Sequence, residues 1–205
     1  MRAARATRLA AATAAAAVVA LAACKASEEP FVAYDYAVTD PPADTLAHED
    51  GASRYPSLDV TGVAGSVTAA SIVVRLTFTQ PVAPWTAQSA SSVDGFLDFD
   101  IDENSQTGVP GAASDFGGNA PLGSEYYVEL RDDGAGHVAM RSTSSPVAPF
   151  VAVPATWNGS TLELTIPRSV LHDRDGQFRL SVMVGNRDLD ATDFAPSDGY
   201  YTIHR

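Results

Sequence analysis

Apolar and polar residues alternate with a period of two along most of this chain, and a helical period is nearly absent. Val32, Tyr34, Tyr36 and Val38 share one face of the first such run. Ile72, Val74, Leu76 and Phe78 do so in the clearest one, with Arg75 and Thr77 opposite. Leu97, Phe99 and Ile101 follow, then Tyr126, Val128 and Leu130, then Val138 and Met140, then Leu162, Leu164 and Ile166. Phe178, Leu180, Val182 and Val184 mark a further strand, and Tyr201 with Ile203 a last one. Turn-forming clusters such as Asp132–Gly136 and Asn158-Gly159 separate the runs. Pro167 to Leu171 predicts a single helical turn, and residues 40–56, rich in Pro and Asp without a period, predict a long loop. Many short strands between turn signals predict an all-β fold, an antiparallel β-sandwich of jelly-roll type, with a closed barrel as the alternative. One domain over residues 31–205 accounts for the pattern. No internal repeat is evident, and no stretch is left over for a second, catalytic module.

The first residues depart from this pattern. Arg2, Arg5 and Arg8 precede an apolar run from Leu9 to Ala23, broken at Thr13. A basic start followed by a short apolar run predicts a secretory signal, too short for a comfortable membrane span. The run ends in Leu21-Ala22-Ala23-Cys24, which resembles the lipobox of bacterial lipoproteins. That resemblance implies cleavage after residue 23 and acylation of Cys24, the one cysteine of the chain, which leaves no disulfide within it. Residues 24–30 then form a short tether, and acyl chains hold the protein to a membrane surface without spanning it. The expected location is the cell envelope; in a Gram-negative cell Lys25 resembles the signal that sends a lipoprotein to the outer membrane.

Charge narrows the partners. The whole chain has a net charge of −12, and residues 1–23 carry three arginines and no acid, so the remainder stands at −15. A surface this acidic repels nucleic acid and anionic headgroups and favours divalent cations or uncharged ligands.

The acid is concentrated at one place. In Gly95–Gly108 the apolar Leu97, Phe99 and Ile101 alternate with Asp98, Asp100 and Asp102. Three like charges on one strand face repel unless a cation neutralises them or water screens them. Calcium, which takes hard oxygen ligands, suits such a face. Alternate side chains of a straight strand stand about 6.6 Å apart, too far for one ion, so the ligands are expected where the strand curls. The predicted set is Asp100, Asp102, Asn104 and Gln106 or a carbonyl, joined by Glu125 at the start of the next strand; Asp98 lies farther back. The loop is not an EF-hand, because Glu103 or Ser105 stands where that loop needs glycine.

Four segments carry a family resemblance. They are Asp40–Asp44 with Tyr55–Val60; Phe99–Gly108 with Gly123–Tyr126; Trp157–Leu164 with Ile166–Leu171; and Thr192–Pro196. In that order they resemble secreted bacterial β-sandwiches related to family 9 carbohydrate-binding modules and DOMON-like domains. The resemblance implies a sandwich stabilised by calcium at the acidic loop and, as in some relatives, a sugar site lined by aromatic rings. Two positions depart from it: Ala43 stands where glycine is frequent, and Glu125 where aspartate is common. Trp85, Tyr127 and Trp157 are the candidates to stack on a pyranose, with Trp157 placed in the turn before a strand and read chiefly as structural.

Enzyme signatures are missing: the chain has no Gly-x-Ser-x-Gly elbow and no His-Glu-x-x-His helix. His48, His137, His172 and His204 are scattered, and Met183, expected on the outward face of its strand, forms no haem-ligand spacing with them. The expectation is a membrane-anchored, calcium-binding, non-catalytic β-sandwich that binds glycans at the cell surface. The alternative is an envelope assembly lipoprotein whose calcium only staples a loop, and a hydrolase ranks third. Side-by-side exposure of Trp85 and Tyr127 favours binding; their burial favours assembly.

Overall fold

The structure is a computed structural model and describes residues 30–46, 55–111, 122–144, 149–172, 175–186 and 190–205. The signal segment, Cys24 and the tether up to Glu29 lie outside the described residues, as does the 47–54 part of the long loop.

Eleven strands form among the described residues: β1 Tyr34–Thr39, β2 Val60–Val67, β3 Ser71–Phe78, β4 Asp94–Asp100, β5 Tyr126–Glu129, β6 His137–Ser142, β7 Val151–Asn158, β8 Thr161–Pro167, β9 Phe178–Asn186, β10 Asp190–Ala195 and β11 Tyr201–Ile203. One turn of helix, α1, spans Arg168–Leu171. The strands run in the order β1-β2-β3-β8-β7-β6-β5-β4-β9-β10, all antiparallel, with β11 also on β9. The expected all-β antiparallel fold is therefore what forms.

The sheet is one continuous path, bent where β7 changes partner. Residues Val151–Pro154 of β7 pair with β6, and Ala155–Asn158 pair with β8. Pro154 falls at that switch, where a residue without an N–H costs the ladder least. Among the described residues β1 ladders only with β2 and β10 only with β9, so the two ends of the path are not zipped together. Ile72, Val74 and Leu76 of β3, Leu97 and Phe99 of β4 and Leu180 and Val182 of β9 share one buried core. Phe178 lies at its centre, tilted against Phe99 at 5.5 Å and edge-on to Tyr36 at 6.0 Å.

The structure corrects the pattern in several places. β2, β7 and β10 were not anticipated. In β2 the small residues Gly62, Ala64, Gly65 and Ser66 dilute the apolar period, and at Gly65 a Cβ would stand 1.8 Å from the Val73 carbonyl oxygen. Trp157 belongs to β7, not to the turn before a strand, and packs against the core. Met183 does lie on the face of β9 away from the main core, but that face is covered: it is fully buried in a satellite cluster with Ala191 and Phe194, with Phe96 packed on it. Val32 precedes β1 and is exposed, and Ile101 lies just past β4.

Candidate metal centre

The carboxylate face of β4 is covered, not washed by solvent: Asp94, Asp98 and Asp100 are all buried. Water therefore cannot screen their repulsion, and each needs a partner inside the protein. Register supplies one. Asp100 sits opposite Arg179 of β9, whose Nη1 donates to Asp100 Oδ2 at 3.3 Å. Likewise Arg131 Nη2 donates to Asp94 Oδ2 at 2.6 Å.

Past Asp100 the chain curls. The Asn104 N–H donates to Asp100 Oδ1 at 3.1 Å and to Asp102 Oδ1 at 3.0 Å. The Gln106 N–H donates to Asn104 Oδ1 at 3.1 Å. Such side-chain-to-backbone bonds are why Asp and Asn outcompete other residues in a turn of this kind. Val109 and Ser124 then exchange both backbone bonds, which pins the loop to the residue beside Glu125. That approach demands glycine at 108 and 123. Their Cβ atoms would lie 2.3 Å from the Ser124 oxygen and 2.6 Å from Ser105 Cα, and both residues have positive φ.

The curl brings together the predicted carboxylates. Asp100, Asp102 and Glu125 each place an oxygen within 4.8 Å of the other two. Asp98, farther back on β4, is outside this group. The Asn104 carbonyl joins it through Thr107, whereas Gln106 is exposed and contributes a backbone N–H. Burial raises the pKa of both Asp100 and Glu125; the Asn104 N–H and Arg179 oppose this at Asp100, the Ile101 N–H and Thr107 hydroxyl at Glu125.

Thr107, read from sequence only as part of a turn, occupies the middle. Its hydroxyl lies 2.8 Å from the Asn104 oxygen, 2.9 Å from Glu125 Oε1 and 3.0 and 3.1 Å from the two Asp102 oxygens. One hydroxyl has one proton, so at most one of these four contacts is a good hydrogen bond. Oxygens that share a cation at about 2.3–2.6 Å are themselves spaced by roughly 3 Å. The crowding at Thr107 has that spacing. Arg179 and the His204–Glu103 contact were also invisible in the sequence, since both depend on how β9 and the segment after β11 dock.

The aromatic candidates meet around a different feature. A cavity of about 220 Å³ is lined by Asp94, Phe96, Glu129 and Arg131. Arg131 stacks over Trp85 at 4.7 Å, and Phe96 meets Tyr127 edge-on at 5.9 Å. Trp85 and Tyr127, both half-buried, each touch one lining residue of this cleft without lining it themselves. Trp157 is away from it, on the core.

Comparison with known proteins returns nothing: no family model matches the chain, and neither a curated protein nor a solved structure is similar to it. Among the described residues no helix is long and apolar enough to cross a membrane.

Proposed function

We propose that this protein is a lipid-anchored, non-catalytic β-sandwich of the cell envelope that binds calcium at the loop after β4 and a glycan at the Asp94–Arg131 cleft. The oxygen crowding around Thr107, with Asp100, Asp102, Glu125 and the Asn104 carbonyl, is the observation that carries the calcium reading. The four-segment resemblance to family 9 carbohydrate-binding modules and DOMON-like domains supports it. Sugar binding draws support from the cleft, where two carboxylates and a guanidinium stand beside aromatic rings. Its volume of about 220 Å³ suits one sugar ring better than a long chain lying in a groove. Trp85 and Tyr127 are each partly exposed, so the burial of both that would favour the assembly alternative is not what forms.

Titration of the full-length chain with calcium, by calorimetry and thermal melting, tests the reading. An ion that binds only the folded state at 100 times its Kd adds about 2.7 kcal/mol. For a domain of this size that is a rise in Tm of roughly 5–10 °C. Asp102→Asn removes the rise contributed by the loop, and Asp98→Asn, outside the cluster, leaves it intact. Loss of the rise in both variants, or in neither, sinks the loop site. In the same calorimeter a panel of neutral oligosaccharides gives heat with the wild type and none with Trp85→Ala; silence across the panel with wild type refutes the glycan reading.

The anchor rests on the Leu21–Cys24 lipobox. Cys24→Ser is expected to move the protein from the membrane pellet to the soluble fraction, and continued sedimentation with membranes would remove Cys24 from the proposal.

A further inference from the structure

A second group of acids gathers where the two unzipped ends of the sheet meet. Asp40 follows β1, Asp59 precedes β2, Asp44 lies in the loop between those strands, and Asp193 is on β10, at the opposite end of the strand path. Asp40, Asp44 and Asp193 each hold a carboxylate oxygen within 4.8 Å of the other two. Asp59 is close enough that its charge acts on both Asp40 and Asp193.

Burial makes this group unlike an ordinary acidic surface. Asp40 is 4% exposed, Asp59 3% and Asp193 1%. One oxygen each of Asp40, Asp44 and Asp59 is held by the fold, and both of Asp193 are, its Oδ1 accepting the Phe194 N–H at 2.9 Å. Tyr201 Oη donates to Asp40 Oδ1 at 2.7 Å, the Ala43 N–H to Asp59 Oδ2 at 2.9 Å, the Val60 N–H to Asp193 Oδ2 at 2.7 Å, and Ser197 Oγ to Asp44 Oδ2. The other oxygens of Asp40, Asp44 and Asp59 are buried, and no donor among the described residues reaches them. No described Lys, Arg or His forms an ion pair with any of the four. An uncompensated buried carboxylate costs several kcal/mol. These three buried oxygens are thus a cost that no donor among the described residues meets.

Two irregularities of the sheet build the enclosure. The β9–β10 register shifts between Ala191 and Asp193, and the β2–β3 register shifts between Val60 and Gly62. A bulge re-aims side chains and sits preferentially beside functional groups. Here one bulge turns Asp193 inward, and the other follows directly on Asp59 and Val60.

We infer that Asp40, Asp44, Asp59 and Asp193 form a second divalent-cation site, suited to calcium, that clasps the β1–β2 loop to β10 and joins the open ends of the sheet. The donor set is all oxygen, which selects calcium or magnesium over softer metals. The carboxylate oxygens of Asp40, Asp44 and Asp193 lie within 4.8 Å of one another, near enough to share one hard divalent ion. Burial, with repulsion from the neighbouring acids, pushes Asp40 up to about 6 and Asp193 up to about 7.

Calorimetric stoichiometry of the full-length chain with calcium alone decides the matter. Wild type is expected to bind two ions, Asp40→Asn one and Asp44→Asn one; Asp102→Asn also binds one, but loses the other site. Asp40→Asn further separates a cation site from a structural one. Its amide donates toward the orphan oxygens, so melting in excess chelator rises or stays level while the calcium-induced rise shrinks. Unchanged stoichiometry in both Asp40→Asn and Asp44→Asn overturns the inference. So does an Asp40→Asn protein that melts lower in chelator and keeps the full calcium response. A wild type that binds one ion, lost through Asp40→Asn and kept in Asp102→Asn, upholds this site and refutes the loop site instead.

Discussion

Phe99→Ala is expected to lower the free energy of unfolding by about 3–5 kcal/mol, the range for truncating a large aromatic side chain in a close-packed core. Phe99 is fully buried on β4, a strand hydrogen-bonded on both sides, by β5 and β9. Its ring meets Phe178, which in turn meets Tyr36 of β1, so one ring ties the middle of the strand path to its first strand. The backbone of the same residue reaches the acidic loop. Its carbonyl accepts the Glu125 N–H at 2.9 Å. The cavity therefore relaxes a strand that also places a carboxylate of the metal centre, and calcium affinity is expected to fall with stability. Urea unfolding checks the first effect: the midpoint drops while the slope holds, because the surface exposed on unfolding is nearly unchanged. A loss below about 1 kcal/mol would take Phe99 out of the core that organises the loop.

Local chemistry was legible in the sequence, and long-range pairing was not. Period-two alternation marked β3, β8 and β9, where Val, Ile, Leu or Phe recurs at every second position of the core-facing set. The same rule placed Leu97 and Phe99 inward and put three aspartates on the other face. What it could not say is that this other face is buried too, since burial there depends on a segment passing over β4: a Cβ on Gly111 would stand 3.0 Å from Asp98 Oδ2. β2 escaped because glycine and alanine replace its branched residues, and β10 because Asp193 breaks its apolar run to serve the acidic enclosure. Sequence order brought Asp100, Asp102 and Glu125 within reach as candidates because a short loop separates ligands on one strand end. Arg179 faces Asp100 across 79 residues and Asp193 faces Asp40 across 153, and only strand register sets such meetings. Asp40, Asp44, Asp59 and Asp193 were in view one by one, within the segments of the family resemblance; their convergence needed the fold.

Arg179→Met is expected to separate the two ways in which Asp100 is kept tolerable. In chelator the guanidinium is the cation that faces this fully buried carboxylate, and Asp102 and Glu125 add repulsion beside it. Removing one member of a buried pair costs about 3–5 kcal/mol. The lower end applies here, because Arg179 is partly exposed, stacks on Tyr200 at 4.8 Å and makes a long contact of 3.3 Å, with its Nε lacking a partner. Without the arginine, burial pushes Asp100 further up, and the metal-free protein loses roughly 3 kcal/mol. Saturating calcium supplies the missing charge, so the loss shrinks to the packing difference between the two side chains, about 1 kcal/mol. Linkage fixes the remainder: a destabilisation of about 2 kcal/mol that calcium abolishes must reappear as about 30-fold tighter calcium binding. Urea unfolding in chelator and in calcium, with calorimetry on the folded variant, measures both sides of that balance. An equal loss under the two conditions, with affinity unchanged, would mean that the ion never senses Asp100, and the crowded oxygens around Thr107 would then be a self-contained turn.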